Sequence, residues 1–229
     1  MISRIVHCKD FAHQGAEIIL AHARETLETR SIFRLGLTGG RSPRAIHEAM
    51  VAGAGNLPWN KVQLTFGDER CVPPDHADSN YRIARESLID PAHIPEGNVF
   101  RMRGEIDPAT AAHEYEAKLA AVAARLGEAR YVHDLLLLGL GEDGHVASLF
   151  PGAASLDETE HNVLPVIGPK PPPQRLTMTL PLINASRQIV FLVPDAAKRT
   201  VVEAIIDGDP HYPATRVRAQ EQVTWLLGW

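Results

Sequence analysis

The run Leu135-Leu136-Leu137-Leu138 passes through Gly139 and Gly141 into a turn that carries Asp143 and His145. Consecutive leucines read as a buried strand. A buried strand that delivers a carboxylate and an imidazole to its carboxyl end is how open α/β sheets assemble sites. A neutral imidazole takes up a proton near pH 7, so His145 is the first candidate for a general base. Asp143, two positions earlier, is a candidate to hold the useful tautomer. The chain has 11 histidines, and a histidine alone is more often structural or merely exposed. The strand before this one and the flanking Gly139, Gly141 and Gly144 set it apart.

Two further polar turns follow short apolar runs. Thr38-Gly39-Gly40-Arg41-Ser42-Pro43 joins a strand to a helix. Such a turn offers backbone N–H groups and the positive end of a helix to an anion, and its glycines allow close approach. A tight turn with a serine cap and no ligand would have the same composition. Gly67-Asp68-Glu69-Arg70 reads as a charged turn after the next strand. In a parallel sheet both turns open on one rim. Arg175, at the start of a strand, and Lys198, in the first turn of a helix, each read as a surface charge when judged alone; both could instead supply the positive charge an anionic ligand needs. The chain lacks G-x-G-x-x-G and a Walker lysine, which disfavours dinucleotide and P-loop sites. It lacks H-E-x-x-H and any C-x-x-C, so no metal site is expected. Ser148 lacks the G-x-S-x-G elbow of serine hydrolases.

Composition narrows the class. The 229 residues are 45% hydrophobic and 22% charged, with a formal net charge of -5. That suffices for a sizeable core and disfavours a disordered chain. No basic run points to nucleic acid. An anionic ligand therefore needs a local basic pocket. Cys8 and Cys71 are expected as free thiols. The first residues lack a signal-peptide pattern, and no apolar stretch reaches membrane-spanning length. The expectation is a cytoplasmic protein of one α/β domain over 1–229, with no membrane or nucleic-acid partner, as a monomer or weak homo-oligomer.

Apolar spacing predicts helices over 11–30, 43–50, 79–88, 108–126 and 196–206, capped at Ser42, Ser79, Asp107 and Asp195. Strands are predicted at 32–37, 62–66, 99–102, 134–139, 162–167, 175–180, 189–193 and 222–227. The proline-rich segment 168–173 reads as an extended loop. Alternating strands and helices imply a Rossmann-like, mostly parallel sheet with helices on both faces. The break in alternation implies a small antiparallel patch near 162–180.

Taken together, Leu37–Pro43, Phe66–Pro73, Asp78–Arg82, Gly139–Gly152 and Arg175–Thr177 resemble the glucosamine-6-phosphate isomerase/6-phosphogluconolactonase family, on its lactonase side. Val193–Lys198 matches more loosely, with Pro194 and Asp195 where the family often has glycine. The resemblance implies hydrolysis of 6-phospho-D-glucono-1,5-lactone to 6-phosphogluconate, in the oxidative pentose phosphate pathway, with no metal or organic cofactor. It implies His145 as general base and Asp68 and Arg70 as a second loop lining the site. It implies Gly39, Gly40, Arg41 and Ser42, with Arg175 and Lys198, as the phosphate cradle. Two alternatives stand beside it. A glucosamine-6-phosphate deaminase-like isomerase would carry a glutamate five residues past the histidine, where this chain has Phe150. A non-catalytic sugar-phosphate sensor would keep Arg175 and the glycine turn without needing His145.

Overall fold

The computed structural model describes residues 2–40 and 42–229. Six strands form one parallel sheet: β1 (Ile2–His7), β2 (Phe33–Leu37), β3 (Val62–Phe66), β5 (Leu135–Gly139), β8 (Gln188–Val193) and β9 (Gln222–Leu227), in the order β1-β9-β8-β5-β2-β3. The remaining three, β4 (Asp68–Arg70), β6 (Val163–Ile167) and β7 (Gln174–Met178), form an antiparallel sheet in the order β4-β7-β6. The helices are α1 (Phe11–Thr29), α2 (Ser42–Gly53), α3 (Asn80–Ala84), α4 (Pro108–Arg125), α5 (Leu180–Asn184) and α6 (Arg199–Ile206).

The leucine run explains the layering. Leu135, Leu136, Leu137 and Leu138 are all buried. Side chains alternate across a strand. Leu135 and Leu137 accordingly join Ile19 and Leu20 of α1 and Ile46 and Met50 of α2 in one core. Leu136 and Leu138 join Tyr115 and Leu119 of α4 and Val202 and Ile205 of α6 in the other. A strand covered on both faces has no polar side, which is why its sequence does not alternate. On the second face the rings of Phe191 and Trp225, from adjacent strands, stack at 4.0 Å.

From β2 the chain steps to β3 at one edge, returns to β5 on the other side of β2, and continues outward through β8 and β9. The order therefore reverses between β2 and β5, the place where open α/β sheets leave a crevice. The main-chain pairing of these two strands covers only Leu35–Leu135 and Gly36–Leu136. Above that point the Thr38 hydroxyl bridges them by accepting from the Gly139 N–H at 3.0 Å.

The alternating architecture and the antiparallel patch stand as read from sequence, and several details change. The patch is a sheet of its own and recruits Asp68–Arg70, which composition marked as a turn. A strand of three polar residues carries no periodicity of its own. The segment 99–102 is extended but makes a single parallel bridge, Val99 to Leu64, before a turn from Met102 to Gly104. Ser42 is the first residue of α2 rather than its cap. Lys198 closes a 3-10 turn (Ala196–Lys198) ahead of α6. The helix after Ser79 widens into a π turn over Arg85–Ile89. Strand β1 and helix α5 were not expected.

Two buried histidines tie the elements together. His133 sits between the hydroxyls of Thr65 (2.9 Å) and Ser186 (3.2 Å), and the His47 Nδ1 meets the Ser87 hydroxyl at 2.8 Å. Burial, aided by Arg34, pushes the His133 imidazole down to about 3; burial, aided by Arg44, pushes His47 down to about 4. Both rings are neutral in the folded chain. Unfolded, they bind a proton below about pH 6.5, so stability is lost as pH falls below that value, until the folded rings themselves charge. Urea unfolding between pH 7 and pH 5 should show this loss, at up to about 1.4 kcal/mol per pH unit for each ring. His47→Gln and His133→Gln should each flatten the slope; an unaltered slope in both assigns it to other groups.

Candidate active site

Segments of four strands and the turn before α6 surround a cleft of about 560 Å3 at the β2/β5 switch point. That is an ordinary volume for a small-molecule site. It is lined by Thr38, Gly39, Gly40 and Ser42 after β2, by Asp68 and Arg70 of β4, by Gly139–Asp143 and His145 after β5, by Arg175 of β7, and by Lys198 before α6. The structure thus brings the described sequence-predicted site residues to one cleft. Arg41 lies outside the described residues.

The loop after β5 presents the imidazole. The Gly141 N–H donates to the His145 carbonyl at 2.9 Å and the Gly144 N–H to the Gly141 carbonyl at 3.1 Å, which folds the loop into a tight turn. Gly144 takes φ +73°, a backbone conformation that favours glycine. A Cβ on Gly141 would lie 2.0 Å from the His145 Nδ1, so only glycine leaves room for the ring where it stands. Nδ1 meets the Asp143 Oδ1 at 2.5 Å, and the His145 backbone N–H donates to the same oxygen at 3.2 Å. Burial pushes the Asp143 carboxyl up, but the hydrogen bonds and charge of His145 outweigh it, and the group settles below its ordinary value. An ionised carboxylate only accepts. The proton of the neutral ring therefore sits on Nδ1, and Nε2 is left unprotonated.

Strand β4 has two faces with two tasks. Glu69 turns inward, 2% exposed, and accepts from the Ser79 hydroxyl and from the backbone N–H groups of Arg70, Asn80 and Tyr81 at 2.7–3.1 Å. Burial raises this carboxyl above its usual range, the Asp68 charge adds to the rise, and the three backbone N–H groups oppose it. The contact seats α3 so that the Asn80 amide donates to the Asp68 Oδ1 at 3.0 Å. Asp68 also accepts from the Ser148 hydroxyl at 2.7 Å. On the cleft side, Arg70 is the register partner of Arg175. The Arg70 Nη1 donates to the Asp78 carbonyl at 2.6 Å, and the Arg175 Nη1 stands 4.0 Å from Asp68. Burial and the like charge of Arg70 pull the Arg175 guanidinium below its usual range, against the pull of Asp68 and Asp78.

Lys198 is held by its turn. The Asp195 carboxylate accepts from the Ala197 N–H at 2.9 Å, and the Lys198 ammonium donates to the Leu140 carbonyl. Gly40, at φ +93°, makes the turn into α2. A Cβ on Gly39 would overlap the Asn80 amide, at 2.2 Å.

Sequence reasoning missed Lys170, an exposed residue of the proline-rich loop that lines the cleft; that loop's place just before Arg175 was the available signal. It also missed the supporting roles of Glu69, Asn80 and Ser148, which depend on contacts between distant segments. Among the described residues the cleft holds four cationic side chains (Arg70, Lys170, Arg175, Lys198) against three carboxylates (Asp68, Glu142, Asp143). The chain as a whole carries -5. Local charge therefore opposes global charge where an anion would enter. No group of three or more His, Cys, Asp or Glu side chains converges among the described residues as metal ligands would.

These features define an α/β protein with a cationic cleft of small-molecule size at the carboxyl edge of its sheet, beside a carboxylate-supported imidazole. A family model described as glucosamine-6-phosphate isomerases/6-phosphogluconolactonase matches residues 7–225, and the chain belongs to that family. It is 42% identical to a 6-phosphogluconolactonase of Synechocystis over 84% of this chain and 80% of that protein. It is 38% identical to the human 6-phosphogluconolactonase over 86% of this chain and 79% of that one. Among solved structures, a 6-phosphogluconolactonase from Thermotoga maritima superposes with a TM-score of 0.88 at 29% identity, covering 99% of this chain and 100% of that chain.

The space at Gly141 yields a geometric test. Gly141→Ala should displace the His145 ring and break its bond to Asp143. Imidazole 15N spectra of the folded variant would then lose the signature of a protonated, hydrogen-bonded Nδ1. Unchanged spectra would place the ring elsewhere.

Proposed function

We propose that the chain hydrolyses 6-phospho-D-glucono-1,5-lactone to 6-phospho-D-gluconate, by attack of water on C1. The observation that carries this reading is a shared contact. The His145 ring packs on Phe150 with centroids 4.7 Å apart, and the Arg175 guanidinium stands 5.9 Å from the centre of the same ring. A proton acceptor and an anion holder thus lie within the span of one phosphorylated sugar lactone. The family membership and the 6-phosphogluconolactonase relatives support the substrate.

A δ-lactone is an activated ester and needs no covalent nucleophile. The Nε2 of His145 takes a proton from water as its oxygen bonds to C1, and the C1 carbonyl oxygen gains the negative charge. General-base help of this kind is worth roughly 10²–10⁴-fold. Collapse of the tetrahedral adduct breaks the bond from C1 to the ring oxygen, and the imidazolium returns its proton to that oxygen. Asp143 holds the tautomer and steadies the imidazolium. Asp68 and Arg70 line the reacting end. The phosphate dianion rests on Arg175, Lys198 and the turn from Gly39 to Ser42, which orients C1 toward the water.

Residue 150 also bears on the isomerase alternative, since a phenyl ring there offers no carboxylate to assist proton transfer between C1 and C2. The reading extends to one domain over 1–229, since both sheets wall one cleft. It extends to a cytoplasmic enzyme, supported by the free thiols of Cys8 and Cys71; no helix of the described residues is long and apolar enough to cross a membrane.

A coupled assay tests the activity. Glucose 6-phosphate, its dehydrogenase, NADP and 6-phosphogluconate dehydrogenase generate the lactone and report its hydrolysis. The purified chain should hasten the second wave of NADPH; ammonia release from glucosamine 6-phosphate would instead reveal the isomerase. In the same assay His145→Ala should lower turnover by at least about tenfold, with phosphate-dependent binding retained. Unchanged turnover would remove His145 from the mechanism. Arg175→Ala should raise KM far more for the phosphorylated lactone than for plain gluconolactone. Equal changes on both substrates would defeat the phosphate assignment.

A further inference from the structure

Phe150 is 9% exposed and occupies an unusual position. The loop that carries it closes with a bridge between Val146 and Leu149 and passes through Ala147 at φ +49°. That turn brings Phe150 back against His145, five residues earlier. One ring then meets the imidazole at 4.7 Å and the Arg175 guanidinium at 5.9 Å. The second contact lies within cation–π range. Packing around it is close. A Cβ on Gly168 would lie 2.7 Å from the Arg175 Nε and 3.2 Å from the Phe150 Cε2, so the guanidinium and the phenyl edge press on one stretch of backbone. Behind the ring lies a second cavity of about 370 Å3, walled by Ala153, Ala154 and Leu164–Ile167. Phe150 is the residue that lines both cavities.

We propose that Phe150 is a specificity-determining spacer: its ring sets the separation between the His145 imidazole and the Arg175 guanidinium, and so selects lactones by the number of carbons between C1 and the phosphate. The proposal rests on the roles given above to His145 and Arg175. It adds that their distance is held by a third side chain that performs no chemistry. A misplacement of about 1 Å at the reacting centre costs up to roughly 10²-fold in rate. A spacer therefore discriminates strongly even though it is uncharged.

The test compares two substrates, 6-phosphoglucono-1,5-lactone and the shorter 5-phosphoribono-1,4-lactone, by proton release in weak buffer. The unaltered protein should prefer the longer lactone. Phe150→Leu should reduce the ratio of kcat/KM for long over short by about tenfold, with the loss on the long substrate falling mainly in kcat. Phe150→Tyr, which keeps the ring, should preserve the ratio. Phe150→Met serves if the leucine variant does not fold. A merely structural role would lower both activities together at a constant ratio, and that result overturns the proposal. Complete inactivity of the unaltered protein on the long lactone would instead sink the lactonase reading.

Discussion

The site depends on what the backbone does at Gly67. Its N–H donates to the Leu37 carbonyl at 2.9 Å, and its carbonyl accepts from the Met178 N–H at 2.8 Å. One peptide unit on each side of this residue thus bonds to a different sheet: β2 of the parallel sheet and β7 of the antiparallel one. Parallel pairing ends and antiparallel pairing begins within a single residue. This junction lifts Asp68, Arg70 and Arg175 over the carboxyl edge of the parallel sheet, where the loop after β5 already points His145. Without it the cationic wall and the imidazole would belong to separate elements with no fixed relation.

The junction gathers charges that would not assemble unaided. Like charges directly opposite on neighbouring strands are destabilising, yet Arg70 and Arg175 are register partners. The nearest carboxylate to Arg175 is at 4.0 Å, and the Nε atoms of both arginines lack a hydrogen-bond partner among the described residues. Asp68 is already committed to Asn80 and Ser148. The fold tolerates this because Glu69, on the other face of the same strand, gathers four donors and anchors β4 to α3. A buried carboxylate with several donors is far less costly than one left unpaired. The strand is therefore held from its inner face while its outer face keeps positive charge under-compensated.

Much of this was legible in the sequence where local signals agree. The leucine run, the strand at 62–66 and the final strand at 222–227 carry dense apolar character, and the helix ending at Arg125 has Asp107 and Pro108 at its start. What escaped shares one cause. Strand β1 (Ile2–His7) mixes polar and apolar residues at the sheet's edge, and it pairs with β9, from the other end of the chain. Strand β4 is three polar residues whose pairing is supplied by β7. The segment 99–102 has strand-like residues but no neighbour to complete a ladder. Pairing across long sequence separation is invisible to periodicity. The glycine turn after β2 and the Asp143–His145 loop after β5 fared better because each follows a strand that was itself legible, and the topology gathers such ends on one rim. Glu69 was out of reach because its importance lies in which other groups it touches, and for Phe150 the sequence offered only the absence of a carboxylate.

The division of labour in the cleft follows from the demands of ester hydrolysis. Water is a poor nucleophile, so a base must be held in its neutral, correctly tautomeric form. In the proposed reaction the Asp143–His145 pair does this within three residues, and the glycines around it supply the room. The second demand is orientation. A reacting centre fixed against its nucleophile gains far more than a base alone supplies, and the handle for fixing this substrate is its phosphate, remote from C1. Binding energy collected at the guanidinium end reaches the reacting end only through a rigid connection, since any slack between them spends the orientation as motion. In this chain the two ends sit on different sheets, joined by backbone at Gly67 and by side-chain contact at Phe150. The first link fixes the sheets and the second fixes the working atoms.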